Sequence, residues 1–370
     1  MTDLWITLGP SSIDRVDELI SLGVNGVRLT FSYGTPALQA ERARAIKAAA
    51  KGVATRCLTV ADLPGEKVRL GEFGETDSIR VEAGQSSEIV VAQRENAAST
   101  GRIPLPNKIF VAGLRVGEAL VIGDGSAVGR VEKTSDCGVV VCWERAGMIN
   151  QMRGVTLRGS SFIPRCLTDQ DIESLRFVAE STDFDMIALS FVSAPEDILI
   201  ARSIMAEHGR TIPIVAKVET TAGMRHLAEI CDAADIVMAA RGDLALYAEW
   251  YELPGYVNLI AQTASQANKP WILATQIAEG LEYFAMPTRA EICDLAHWLE
   301  AGCAAAMLSH ETVFGSNAVG AVTCTRTLLD RWGQQSLLGF RVNEGYSASR
   351  DVMRSLFLSA ACHHKRMACS

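Results

Sequence analysis

Eight short apolar runs, rich in β-branched residues, recur along the chain, and most are separated by segments of helical period. The runs are Trp5–Leu8, Gly26–Phe31, Arg56–Asp62, Met186–Phe191, Ile214–Glu219, Ile236–Ala240, Trp271–Thr275 and Ala305–Ser309. Amphipathic stretches such as Ile13–Leu22, Pro36–Ala50, Asp169–Glu180 and Glu196–His208 lie between them. Strand-type and helix-type periods in alternation predict parallel strands, because parallel neighbours need a long crossover and a helix is the usual one. Eight such units are the number that closes a (β/α)8 TIM barrel, an α/β fold.

The spacing breaks once, after the third run. There the sequence turns to short alternating strands and Gly turns, including SIRVEAG, SEIVVAQ, EALVIGDGS and CGVVVCWE. This predicts a small β-barrel lid domain at 73–163, inserted in a barrel loop where insertions cost the barrel least. The barrel then takes 1–72 and 164–345, with a helix at Asn317–Trp332, and 346–370 form a C-terminal helix, Ala348–Cys362, and tail. Thr168 with Asp171 and Thr288 with Glu291 have capping-box spacing, so these polar residues read as helix starts rather than catalysts. GDGSAVG lacks dinucleotide-fingerprint spacing and reads as a turn.

With 48% hydrophobic and 21% charged residues, 370 residues can bury a sizeable core. Against 35 basic residues stand 43 acidic ones, a net charge of −8, which argues against nucleic acid or an anionic membrane as partner and for small-molecule substrates. There is no apolar run long enough for a membrane span, and the start MTDLWITLGPSS has no signal-peptide pattern, so a cytoplasmic protein is expected. The ten cysteines have no zinc-type spacing and are expected to be reduced structural thiols; His363 and His364 have no third ligand nearby and read as part of a solvated tail.

In a barrel of this kind the residues at the C-terminal strand ends face a common mouth. Here those positions hold Arg28, Ser32, Asp62, Ser190, Lys217, Glu219, Arg241-Gly242-Asp243, Thr275-Gln276, Ser309 and Glu311. Lys217 and Glu219, two apart on a strand, share a face. Glu219 and Asp243 offer a pair of hard oxygen donors suited to Mg2+ or Mn2+, and Lys217 and Arg28 add positive charge. The combination fits an anionic substrate carrying carboxylate and phosphate or enolate groups.

At these residues the sequence resembles the pyruvate kinase family, to about residue 330. The matching segments are ITLGPSS at 6–12, VRLTFSYG at 27–34, DLPGEKVRLG at 62–71, LTDQDIESLRF at 167–177, LSFVS at 189–193, AKVET at 216–220, AARGDLA at 239–245, ATQ at 274–276, MPTRAEICDLA at 286–296 and MLSHET at 307–312. In the insertion, GDG at 123–125 and MRGVTLRG at 152–159 match the family's mobile β lid. The resemblance implies a phosphotransferase that moves phosphate between phosphoenolpyruvate and ADP through a pyruvate enolate. It implies that Glu219 and Asp243 hold the divalent metal and that Lys217 and Arg28 neutralise the phosphoryl group in flight; Ser190, at the end of the fourth run, is expected to bind substrate from its place at the mouth. The amides around Gly242 and Asp243 would take the substrate carboxylate beside Thr275, which stands near the protonated face of the enolate. Arg69, Tyr33 and Arg153 would lie on the nucleotide side. Ser32 and Asp62 match the family's monovalent-cation site, and Lys67 resembles the branch that needs no K+, so K+ is expected to be dispensable.

Several positions depart from the family pattern. Thr30, Tyr33, the Pro64-Gly65-Glu66 turn, Ser193, Ala245-Leu246-Tyr247 and His310 replace family residues, and they erode the nucleotide half more than the carboxylate, metal and enolate half. An alternative reading therefore keeps the enolate and replaces the nucleotide: a metal-dependent lyase or aldolase acting on a pyruvate- or phosphoenolpyruvate-derived enolate with another electrophile, in a specialised biosynthetic pathway. A third, non-catalytic scaffold reading is opposed by the joint presence of Lys217, Glu219, Asp243, Arg28 and Thr275. The family's effector domain has no counterpart in the 370 residues, so its usual regulation is not expected; a homodimer is.

Overall fold

The structure is a computed structural model that describes residues 2–135, 138–159 and 162–335; the expected helix at 348–362, the tail to 370 and His363 and His364 lie outside those residues. Eight parallel strands close a barrel in the order of the chain: Asp3–Thr7, Gly26–Thr30, Leu58–Leu63, Met186–Leu189, Ile214–Val218, Ile236–Ala240, Trp271–Ala274 and Ala305–Leu308. They are called strands one to eight below. Each coincides with one of the eight apolar runs, and strand one pairs with strand eight to complete the ring.

Alternation along the strands fills the barrel. Trp5, Leu58, Val60, Met186, Ala188, Val215, Ile236, Met238, Ile272, Ala274, Ala305 and Met307 form one buried interior cluster. Strand two contributes Gly26, where a Cβ would sit 2.8 Å from the ring of Trp5, so this glycine gives the indole its room. The outward faces pack on helices. Asp169–Glu180 and Arg289–Glu300 each begin with the expected capping box, Thr168 with Asp171 and Thr288 with Glu291, which satisfies the first free N–H groups of each helix.

The described residues divide into two compact units: one takes those up to 65, 165–241 and 254–335, the other those within 66–164 and 242–253. The second unit holds the insertion, read from sequence as 73–163, and takes in a few residues on either side of it together with a segment that follows strand six. Its strands form a six-stranded sheet and a two-stranded ribbon. Leu70, Phe73, Ile89, Leu120, Val141 and Trp143 lie at the centre of its apolar core. GDG is a turn as expected, with left-handed Gly123 and Gly125 joining antiparallel strands Ala119–Ile122 and Ala127–Ser135. Among the described residues, no helix is long and apolar enough to cross a membrane. Seven cysteines there are free thiols; burial pushes Cys57 and Cys231 up to about 12, with nearby acidic side chains adding to it.

Candidate active site

Period two along the strands carries the barrel interior outward into a polar layer. Thr7, Arg28, Asp62, Ser190 and Lys217 each stand two residues beyond Trp5, Gly26, Val60, Ala188 and Val215, so each continues an inward-facing column at the C-terminal end of its strand. The parallel register sets Asp62 beside Thr30 on one side and Ala188 on the other.

Four of these side chains, with Glu219, form a buried charged cluster. The Lys217 ammonium donates to Ser190 Oγ at 2.7 Å and lies 3.1 Å from Asp62 Oδ1 and 3.2 Å from Glu219 Oε1. Arg28 donates to Asp62 Oδ2 at 2.8 Å and to Thr7 Oγ1 at 3.3 Å. Ser190 Oγ in turn donates a hydrogen bond to the carbonyl of Leu63, at 2.7 Å. Burial alone would raise the pKa of Asp62, but the charges of Arg28 and Lys217 outweigh it and hold the carboxyl below its ordinary range. The formal charges of Arg28, Lys217, Asp62 and Glu219 cancel.

Two of the strand ends carry left-handed backbone. Phe191, just past strand four, has φ 54°, and its N–H donates to Glu219 Oε2 at 2.7 Å. Past strand seven, Thr275 and Gln276 have φ 74° and 55°. Non-glycine residues in the left-handed region are uncommon and concentrate at functional sites. The sequence marked Thr275, but Phe191 carried no polar signal, and its conformation emerges only when Glu219 reaches its amide.

The remaining candidates fall elsewhere. Ser32 and Tyr33 lie on the exposed loop after strand two, outside the buried cluster, and buried Gln39 ties that loop by donating to the carbonyls of Thr30 and Tyr33. Lys67, Arg69, Arg153, Gly242 and Asp243 belong to the second unit. There Arg69 is bridged to Gly154 and donates to the carbonyl of Met152, which brings Arg69 and Arg153 onto neighbouring antiparallel segments. The Lys67 ammonium straddles both carboxylate oxygens of Asp243, at 2.9 and 3.1 Å. Gly242 and Asp243 stand in the first turn of the helix Arg241–Tyr247, which directly follows strand six. His310 pairs through a ring nitrogen with Glu282.

Among the described residues no group of three or more His, Cys, Asp or Glu could hold a metal ion. Glu219 belongs to the first unit and Asp243 to the second, and each is a carboxylate, an oxygen donor. Carboxylate oxygens are the donor type that suits Mg2+, which is commonly held by one or two of them and completes its shell with water and substrate phosphate.

A closed parallel barrel with a charged cluster at its C-terminal strand ends defines a barrel protein of enzyme type. The family model for the pyruvate kinase barrel domain matches residues 1–322. A pyruvate kinase of Thermotoga maritima is 30% identical over 326 residues, covering 87% of this chain and 68% of the relative. Pyruvate kinases of Corynebacterium efficiens and Mycobacterium tuberculosis are 34% and 32% identical, each over 85% of this chain and 66% of the relative. The chain belongs to the pyruvate kinase family, and it spans about two thirds of the length of these relatives.

Proposed function

We propose that the protein transfers a phosphoryl group between phosphoenolpyruvate and ADP. The observation that carries this reading is the charge-balanced group of half-buried Arg28 and buried Asp62, Lys217 and Glu219 at the ends of strands two, three and five. Phosphoryl transfer asks little covalent chemistry of a protein and much electrostatics. Lys217, buried and oriented by Ser190, Asp62 and Glu219, presents its ammonium where a passing phosphoryl group can use it, and Arg28, fixed by Asp62 and Thr7, supplies the second cation. Both are preorganised, so little reorganisation is needed as charge moves. Thr275 orients the face at which the enolate left by phosphoryl departure takes its proton.

Glu219 and Asp243 would hold Mg2+ or Mn2+. The four charges of the cluster sum to zero, so a bound divalent ion would add the positive charge that helps balance a multiply negative substrate. Gly242 and Asp243 offer first-turn amides, which have no intrahelical acceptor, to the substrate carboxylate. Arg69, Arg153 and Tyr33 serve the nucleotide. Lys67 supplies a fixed cation in place of K+, so KCl should activate no more than matched NaCl.

The test is direct. Purified protein with Mg2+, phosphoenolpyruvate and ADP should form ATP and pyruvate, and pyruvate methyl protons should exchange in D2O, followed by NMR, only when ATP or phosphate is present. Exchange that ignores nucleotide and phosphate, with no ATP formed, would favour the lyase reading, to which exposed Tyr33 and the His310–Glu282 pair lend weight. No exchange and no ATP would leave a scaffold.

A further inference from the structure

Arg241 opens the helix Arg241–Tyr247, directly ahead of Gly242 and Asp243, yet its side chain runs toward strand seven. Its Nε donates to the carbonyl of Ala274 at 3.3 Å and of Thr275 at 3.1 Å, and its Nη2 to the carbonyls of Thr275 and, at 3.0 Å, Gln276. In extended backbone successive carbonyls point to opposite sides and could not meet one guanidinium. They converge here because Thr275 and Gln276 are both left-handed. Nη1 pairs with Asp294, whose other oxygen takes the indole N–H of Trp298 at 2.7 Å, so the guanidinium is itself anchored to the helix Arg289–Glu300.

The following residues are held from the opposite direction. Buried Glu311 accepts the N–H groups of Ile277 and Ala278 through Oε1, at 3.0 Å each, and that of Ser309 through Oε2 at 2.7 Å. A β-branched threonine does not keep positive φ unaided. Arg241 on the carbonyl side and Glu311 on the amide side therefore over-determine the turn at the end of strand seven.

We propose that Arg241 is a positioning residue that sets the left-handed Thr275–Gln276 turn and, through it, the placement of the Thr275 hydroxyl. This rests on the reading that Thr275 faces the reacting enolate. Lysine cannot replace it, because the three carbonyls need the planar five-donor fork rather than a point charge.

Two readouts test the proposal on the full chain. Hydrogen exchange of the 276–278 amides, followed by mass spectrometry, should be faster by tenfold or more in Arg241→Ala and Arg241→Lys. Turnover should fall by roughly a hundredfold, the scale of an ångström misplacement of a reacting group, with KM for phosphoenolpyruvate within about threefold and partial recovery of the Ala variant by added guanidinium. In a Thr275→Ala background, Arg241→Ala should cost less than a further twofold. Losses that multiply across the two substitutions, or wild-type turnover despite faster exchange, would show that Arg241 does not act through Thr275. A wild-type protein without activity would sink the functional reading instead; the turn-holding role would then be decided by exchange, and unchanged exchange in the Lys variant, the one more secure in folding, would overturn it.

Discussion

Lys217 is buried with acceptors on three sides, so its charge costs desolvation that only a demanding role or strong pairing repays. Lys217→Met should lower kcat by about 10²–10³-fold, the range seen when one preorganised charge-stabilising donor is removed, while KM for phosphoenolpyruvate changes little in a coupled pyruvate assay. Unaltered turnover would remove Lys217 from the chemistry. Lys67 competes with any cation for Asp243. This pair is partly exposed and worth roughly 0.2–1 kcal/mol, so Lys67→Met should tighten Mn2+ binding by up to about fivefold in calorimetry, and weaker binding would contradict the competition. Lys217, Glu219, Arg28 and Asp62 were legible in the sequence because period two and strand ends suffice to aim a side chain. The Lys67 contact was not: an extended segment tells which face a side chain leaves from, but not which carboxylate it meets. Arg241 and Glu311 stood among the strand-end residues without a role, since their work depends on the φ of residues elsewhere in the chain.

Strands two, three and five are tied at their ends by one carboxylate. Asp62 takes Arg28 from strand two and Lys217 from strand five. Removing its charge strands buried Lys217 and half-buried Arg28, so Asp62→Asn should destabilise the barrel unit by on the order of 3–5 kcal/mol in urea unfolding near pH 7. The pH dependence has a definite sign. The folded pKa lies below the ordinary 3.8, so the stabilisation is in place above 3.8 and is lost as pH falls through the lowered value. The gap between wild type and Asp62→Asn should therefore narrow in acid below that point; a gap independent of pH would mean that the carboxylate is not paired as described. At this scale the sequence was most readable. Strand and helix positions follow from alternation and capping, both local properties, and the helix Asp169–Glu180 matches its expected bounds.

The second unit is discontinuous, because residues 242–253 pack with 66–164 rather than with the chain around them. Its main entry and exit are close: a Cβ at Gly65 would sit 3.1 Å from the carbonyl of Arg165. Replacing 66–164 by a short Gly-Ser linker should thus leave a barrel that unfolds cooperatively by circular dichroism, less stable because 242–253 loses its partners, and without phosphoryl transfer; loss of cooperative unfolding would show that the barrel needs the insertion to fold. The break in strand spacing made the insertion visible, but the added segment was invisible, since Gly242–Leu253 joins it only by long-range packing such as that of Arg158 with Leu246 and Glu249. The sequence by itself determined the barrel, the insertion and the inward-facing polar column, all of which follow from periodicity along one strand at a time. The tertiary structure alone decided which charges neutralise one another and which residues adopt positive φ, because those outcomes depend on groups that meet only when distant strands close into a ring.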